Sequence, residues 1–198
     1  MSEQQHETKR AIMEATLRAL CEHGYADLTM ADIADEFDKS QAAIHYHFET
    51  KEDLVVAFLA YSQRRIQEEL DGAEGDTAEE RLEATLDFFI SGPEPVDAGD
   101  LGDFHTALLE LQAQSPSVDA YRRELEAIDE LIRGHYEAIL ADGVAAGEFE
   151  PIDAAAVAEE IVTLLSGARV RAVALDDSGI LDDGRGMIEE ELLERIAR

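Results

Sequence analysis

Residues 29–48, TMADIADEFDKSQAAIHYHF, gather side chains suited to contact with a nucleic-acid duplex. Gln41 is of the type that bonds bidentately to adenine N6 and N7. The methyls of Ala42 and Ala43 suit the thymine methyl and let a helix approach closely. Ser40, His45, Tyr46, His47 and Lys39 have the reach and polarity to position phosphates. Lys51 falls in the first turn of the next helix, where the helix dipole favours acids, and a phosphate bound at that helix start would account for it. Together with Thr29 at the head of the stretch, these ten residues form a candidate DNA-contact set. Their chemistry is phosphate positioning and base-edge readout.

The elements that hold this set are legible from local signals. Thr29 caps a short helix over about 30–37, with Asp32 completing a capping box. Asp38 and Lys39 make a turn. Ser40 caps a second short helix over about 41–47. Thr50, with Asp53 three residues on, opens a longer one to about Leu70. Ile33, Phe37 and Ile44 are spaced to fill the seam between the two short helices, and a longer helix over about 7–22 precedes them, stopped by Gly24. This is the sequence shape of a helix-turn-helix.

The remainder reads as helices too: one opened by Thr77, then about 103–114, 118–142, 154–175 (capped by Asp153) and 185–197. Loops are expected at DGAEGD (71–76), SGPEPVDAGDLG (91–102), GVAAGEFEP (143–151) and DDSGILDDG (176–184). All four prolines (Pro93, Pro95, Pro116, Pro151) sit in loop-like stretches. The expected fold is all-α, with about nine helices: an N-terminal three-helix helix-turn-helix domain over 1–50 and a helical bundle over 51–198.

The chain resembles the tetracycline-repressor-like (TetR-type) transcriptional regulators. The resemblance rests on IMEATLRALCEHGY in the first helix, TMADIA in the second, and above all IHYHFETKEDL across the third and fourth. Beyond about residue 60 it is one of layout, including the G-x-x-x-G-E-F turn before the eighth helix. The chain departs from the family in the turn, where Asp38 replaces the usual glycine and Lys39 the usual aliphatic. His45 replaces a common tyrosine. The resemblance implies DNA binding by the N-terminal helices, an effector pocket enclosed by helices 4–7, and a dimer formed by helices 8 and 9. For the pocket it directs attention to Tyr61, Phe88, Phe89, Phe104, His105, Tyr121, His135 and Tyr136. For the dimer it points to the apolar faces of helix 8 (Val157, Ile161, Leu164, Ala168, Ala172) and helix 9 (Ile188, Leu192, Ile196). Gly134 and Gly167 lie inside helices, where each is a candidate for a bend or a close helix approach.

Other chemistry is not assembled. His45 and His47 project about 200° apart on a helix and cannot share a metal ion there. A twelve-residue calcium loop begun at Asp176 would end on Met187 rather than Glu. Walker A, H-E-x-x-H, G-x-S-x-G and Rossmann glycine patterns are missing, and no paired acid and base or nucleophile stands out, so neither an enzyme nor a cofactor is expected. Cys21, the single cysteine, follows the core stripe of helix 1 and reads as a buried, inert thiol in a reducing compartment.

Composition sets the boundaries. The chain has 198 residues, 46 acidic against 16 basic, for a net charge of −30. This excludes a basic protein that coats nucleic acid or lipid. The acidity is spread throughout, with net −7 over residues 1–62 and −23 beyond. Only three bases are lysines, and all three (Lys9, Lys39, Lys51) fall in the N-terminal region. An acidic, lysine-poor surface is a halophile signature, because salt screens its self-repulsion. No apolar run is long enough to span a bilayer and no signal segment opens the chain, so a cytoplasmic protein is expected. The sequence thus points to a dimeric regulator on a palindromic duplex operator, controlled by an unidentified small-molecule effector. The alternative is a helical adaptor or ligand-binding protein of the same fold without specific DNA binding.

Overall fold

The structure is a computed structural model that describes residues 3–37, 41–72, 75–91 and 101–196. Every regular element among them is helical: α1 (Glu3–Asp27), α2 (Met30–Glu36), α3 (Gln41–His45), α4 (Lys51–Gly72), α5 (Ala78–Ser91), α6 (Leu101–Gln114), α7 (Asp119–Ala146), α8 (Ala154–Leu175) and α9 (Gly179–Gly186). A π-helical stretch, Met187–Leu193, then continues α9 into the final turn α10 (Glu194–Ile196). No helix among the described residues is long and apolar enough to cross a membrane. The chain divides into two compact units, Met1–Arg65 with Pro95–Ala127 and Ile66–Glu94 with Ile128–Arg198.

In the first unit α1 is the central strut, packed on α2 and α6. Ile12, Ala15, Thr16, Ala19 and Leu20 recur at helical spacing and are all buried. Thr16 satisfies its hydroxyl by donating to the Ile12 carbonyl at 2.7 Å. Arg18 ties α1 to the end of α2, donating to the Glu36 carboxylate and to its backbone carbonyl, each at 2.8 Å. Gly24 breaks α1 with a φ of +69°, a conformation glycine adopts without penalty. Cys21 is half-buried rather than enclosed.

In the second unit the core is built from Leu82, Leu86, Tyr136, Ile139, Leu140, Val157, Ile161, Ile188 and Leu192. The G-x-x-x-G-E-F run has a physical basis here. A Cβ on Gly143 would lie 2.3 Å from the Phe149 ring, and Gly147 turns the chain with a φ of +80°. The chain therefore doubles back onto the last turn of α7, which runs to Ala146 rather than ending near 142.

Only the first three residues of DDSGILDDG, Asp176 to Ser178, form the expected loop, and α9 takes the rest from Gly179. Ile180 and Leu181 are buried, and Gly184 comes so close to α8 that a Cβ there would lie 2.7 Å from the Ala168 methyl. That contact makes a helix of a segment whose local composition reads as coil. Gly184 is thus the close-approach glycine, while Gly134 and Gly167 face open space.

The face of α8 and α9 assigned to dimerisation must also be corrected. Val157, Ile161, Ala168, Ala172, Ile188, Leu192 and Ile196 are at most 7 % exposed within a single chain, and Leu164 is half-buried. The seven buried side chains belong to the protomer's own core. The apolar surface that α8 leaves open is instead Val170 (50 % exposed) and Leu175 (64 %), beside the exposed Thr163, Ser166, Gly167 and Ala174.

Candidate nucleic-acid interface and ligand site

The head of α2 is rigidly capped. Thr29 donates its backbone N–H (2.8 Å) and hydroxyl (2.7 Å) to the Asp32 carboxylate and accepts from the Asp32 N–H at 3.3 Å. These bonds hold the Asp32 carboxyl below its ordinary pKa. They also occupy the Thr29 hydroxyl, which sits on an exposed residue. Ile33, Phe37 and Ile44 are all buried, so the seam between the two short helices is filled as their spacing implies. With Ile44 inward, Gln41, Ala42, His45 and Tyr46 are exposed, and Ala43 and His47 are half-buried. Helix α3 is shorter than expected: His45 is its last residue, and Tyr46 and His47 follow in a turn. Tyr46, 79 % exposed, stands edge-on to the His47 ring at 5.0 Å. Lys39 and Ser40 lie outside the described residues.

The structure gives Lys51 a different task from the expected one. Its Nζ donates to the backbone carbonyls of Tyr25 (2.5 Å) and Leu28 (2.9 Å) and lies 4.2 Å from the centre of the Tyr25 ring. The ammonium is thereby engaged at the end of α1, and burial pulls its pKa below the usual lysine value. Tyr25 is held from its other side as well. Its N–H, freed by the break at Gly24, donates to the Glu110 carboxylate on α6. Its hydroxyl is 3.3 Å from that of the fully buried Tyr121 on α7, the two rings edge to face. Lys51, Tyr25, Glu110 and Tyr121 thus form one polar and aromatic junction within the first unit. The sequence reading named Tyr121 as a pocket residue and missed Tyr25 and Glu110. The paired glycine and tyrosine after helix 1 were the available signal.

The remaining pocket candidates separate by unit. In the first, Tyr61 and Phe104 are half-buried and His105 is buried. In the second, Phe88 and Phe89 are half-buried on α5, and the Phe89 ring lies 6.1 Å from that of Tyr136 on α7. His135 Nε2 is 3.2 Å from the Thr85 hydroxyl, whose own hydrogen goes to the Arg81 carbonyl at 2.8 Å. Thr85 therefore accepts and His135 donates from Nε2. Burial lowers the His135 pKa. Tyr136 is completely buried, with its hydroxyl unpartnered. Arg169 on α8, absent from the sequence-derived set, has an Nε that is likewise buried and unpartnered. Its signal was an arginine four residues after Leu165, next to the buried side of an otherwise apolar stretch.

Comparison with known proteins agrees with this geometry. Residues 12–58 match the family described as bacterial regulatory proteins, tetR family. Residues 78–197 match the C-terminal domain of BetI-type transcriptional repressors. The chain is similar to a TetR transcription regulator from Haloarcula marismortui, with 37 % identity over 98 % of this chain and 100 % of that one, at a TM-score of 0.87. It shares the fold of a regulator from Saccharomonospora viridis solved in complex with choline, at 22 % identity, a TM-score of 0.79, and coverage of 98 % and 99 % of the two chains. Among curated relatives it matches the HTH-type transcriptional regulator BetI of Brucella anthropi, 31 % identical over 80 residues, which is 39 % of this chain and 41 % of that relative's length.

Proposed function

Since the chain belongs to the tetR family of transcriptional regulators, not a family of enzymes, we propose that it is a cytoplasmic repressor that binds a palindromic operator as a dimer and is controlled by a small-molecule effector. The observation that carries this reading is the exposed quartet Gln41, Ala42, His45 and Tyr46 beside a sealed Ile33–Phe37–Ile44 seam. A helical hairpin without a partner has no reason to leave a tyrosine 79 % exposed next to two small residues. Ala43, His47, Lys39 and Ser40 complete the contact surface, and Thr29 orients it through its cap. In a dimer, two such faces enter successive major grooves about 34 Å apart. The second copy docks on the open stripe of α8 around Gly167, Val170 and Ala174, where small side chains permit close approach. An effector that binds better to a state with the wrong spacing releases the DNA, and a differential of a few kcal/mol is enough.

The test is binding of the purified protein, in molar KCl, to duplex DNA from immediately upstream of its own gene. Two chains per duplex are expected by sedimentation. Gln41→Ala should weaken specific binding about tenfold, the value of one bidentate base contact, while leaving the fold intact. A folded native protein that binds no such duplex at any salt concentration would return the chain to the adaptor reading. Choline, as held by the Saccharomonospora relative, is a first probe for release.

A further inference from the structure

In a chain of net charge −30, carboxylates are at hand for most arginines of the second unit. Within the second unit Arg81 pairs with Asp142 at 3.1 Å, Arg195 with Glu160 at 3.0 Å and Arg133 with Glu159 at 3.5 Å, while Arg185 bridges Asp87 and Glu189. Arg171 is exposed to water. Arg169 is half-buried, and its Nε is enclosed with no hydrogen-bond partner among the described residues. A second orphan lies within electrostatic reach of it. The Tyr136 hydroxyl, on a fully buried residue, has no partner either, and the two groups are close enough for each to bias the other's ionisation. An enclosed guanidinium N–H without an acceptor costs stability, and an unfilled phenol adds to that cost. Two donors left open in this way, the phenol itself part of the Phe89–Tyr136 ring pair, match what a ligand would supply: acceptor oxygens carrying a negative charge, joined to an apolar body. Arg favours such oxygens through its planar fork of N–H groups.

We propose that Arg169 and Tyr136 are the anchoring point of the effector site, and that the effector is an organic carboxylate whose apolar body lies against Phe89. This deepens the regulator reading and rests on it. Arg169 forms the charge-assisted bonds, Tyr136 donates its hydroxyl hydrogen, and the apolar remainder of the ligand excludes water from both. The rest of the acidic chain repels anions, so selectivity comes from this half-buried charge without a carboxylate among the described residues.

The experiment titrates the full chain, in molar KCl, with acetate, benzoate and decanoate, each against its neutral amide, with choline as the cationic control. Binding is read by calorimetry and by thermal midpoint, and operator release is read in parallel. At least one carboxylate should bind at least tenfold more tightly than its amide. Arg169→Met should abolish that preference and raise the thermal midpoint of the ligand-free protein, because an enclosed N–H without an acceptor has been removed. Tyr136→Phe should weaken the carboxylate several-fold. If Arg169→Met does not fold, Arg169→Lys, which keeps the charge and loses the fork, should still weaken binding at least several-fold. The proposal is overturned if no carboxylate binds, if amides bind equally well, or if the Arg169 and Tyr136 variants keep full affinity. Release of operator by choline alone would overturn the anion site and leave effector control standing. A carboxylate that binds through Arg169 without changing operator affinity would uphold the site and remove its regulatory role.

Discussion

The ammonium of Lys51 donates to two carbonyls and covers a tyrosine ring, so removing it acts on the fold before it acts on DNA. Lys51→Met should destabilise the protein by about 2 kcal/mol, the scale of charge-assisted hydrogen bonds lost together. Operator binding should then fall mainly as the folded fraction falls. Comparing denaturant midpoints with operator affinity under fully folding conditions checks this, and a large affinity loss in a fully folded variant would restore a direct phosphate contact. His135 supplies the pH dependence. Its pKa is lowered in the folded state by burial, so the unfolded chain takes up a proton more readily. The stability it contributes is complete above about pH 6.5 and declines as pH falls through that value towards the folded pKa. Denaturation of His135→Gln between pH 5 and 7 should show a flatter profile than the native chain. At this scale the caps were legible because Thr29 with Asp32 and Thr50 with Asp53 are three residues apart. The partners of Lys51 lie 23 and 26 residues away, beyond any local pattern.

Helix pairs make their own demands. The crossing of α9 on α8 depends on a missing side chain, because a Cβ at Gly184 would sit 2.7 Å from Ala168. Gly184→Ala should therefore lower stability by about 1–3 kcal/mol, as overpacking does. Gly134→Ala, in an open stretch of α7, should be neutral or raise stability by up to about 1 kcal/mol, because glycine is a poor helix former. Thermal melts of the two variants decide the matter, and equal shifts would mean that the α8–α9 contact is loose. Periodicity revealed most helices, since their apolar stripes repeat within each element. It failed from Gly179 to Gly184 within DDSGILDDG, where three buried residues and a neighbouring helix outweigh a composition rich in aspartate and glycine. It also placed the apolar stripe of α8 correctly without saying what that stripe faces.

At the scale of the whole molecule, charge governs behaviour. A net charge of −30 must be kept from a polyanion, and cations at high concentration do this while they also compete for phosphates. Operator affinity is therefore expected to fall weakly with KCl, or even to rise, up to molar salt. A titration from 0.1 to 2 M KCl would overturn this if affinity dropped steeply throughout, as it does for proteins with many free lysines at the interface. The carbonyl contacts of Lys51 are consistent with this expectation, because its ammonium already serves Tyr25 and Leu28.

The sequence alone determined the all-helical class, the caps, the sealed helix-turn-helix seam and the family, because each is written in contacts within one element or between near neighbours along the chain. Tertiary structure decided which apolar face of α8 is core and which is open, that α9 begins early, that Lys51 serves Tyr25, and that Arg169 Nε and the Tyr136 hydroxyl are enclosed without partners. Those outcomes depend on which distant side chains share a space, and helical periodicity records that a face is apolar or polar without recording its neighbour.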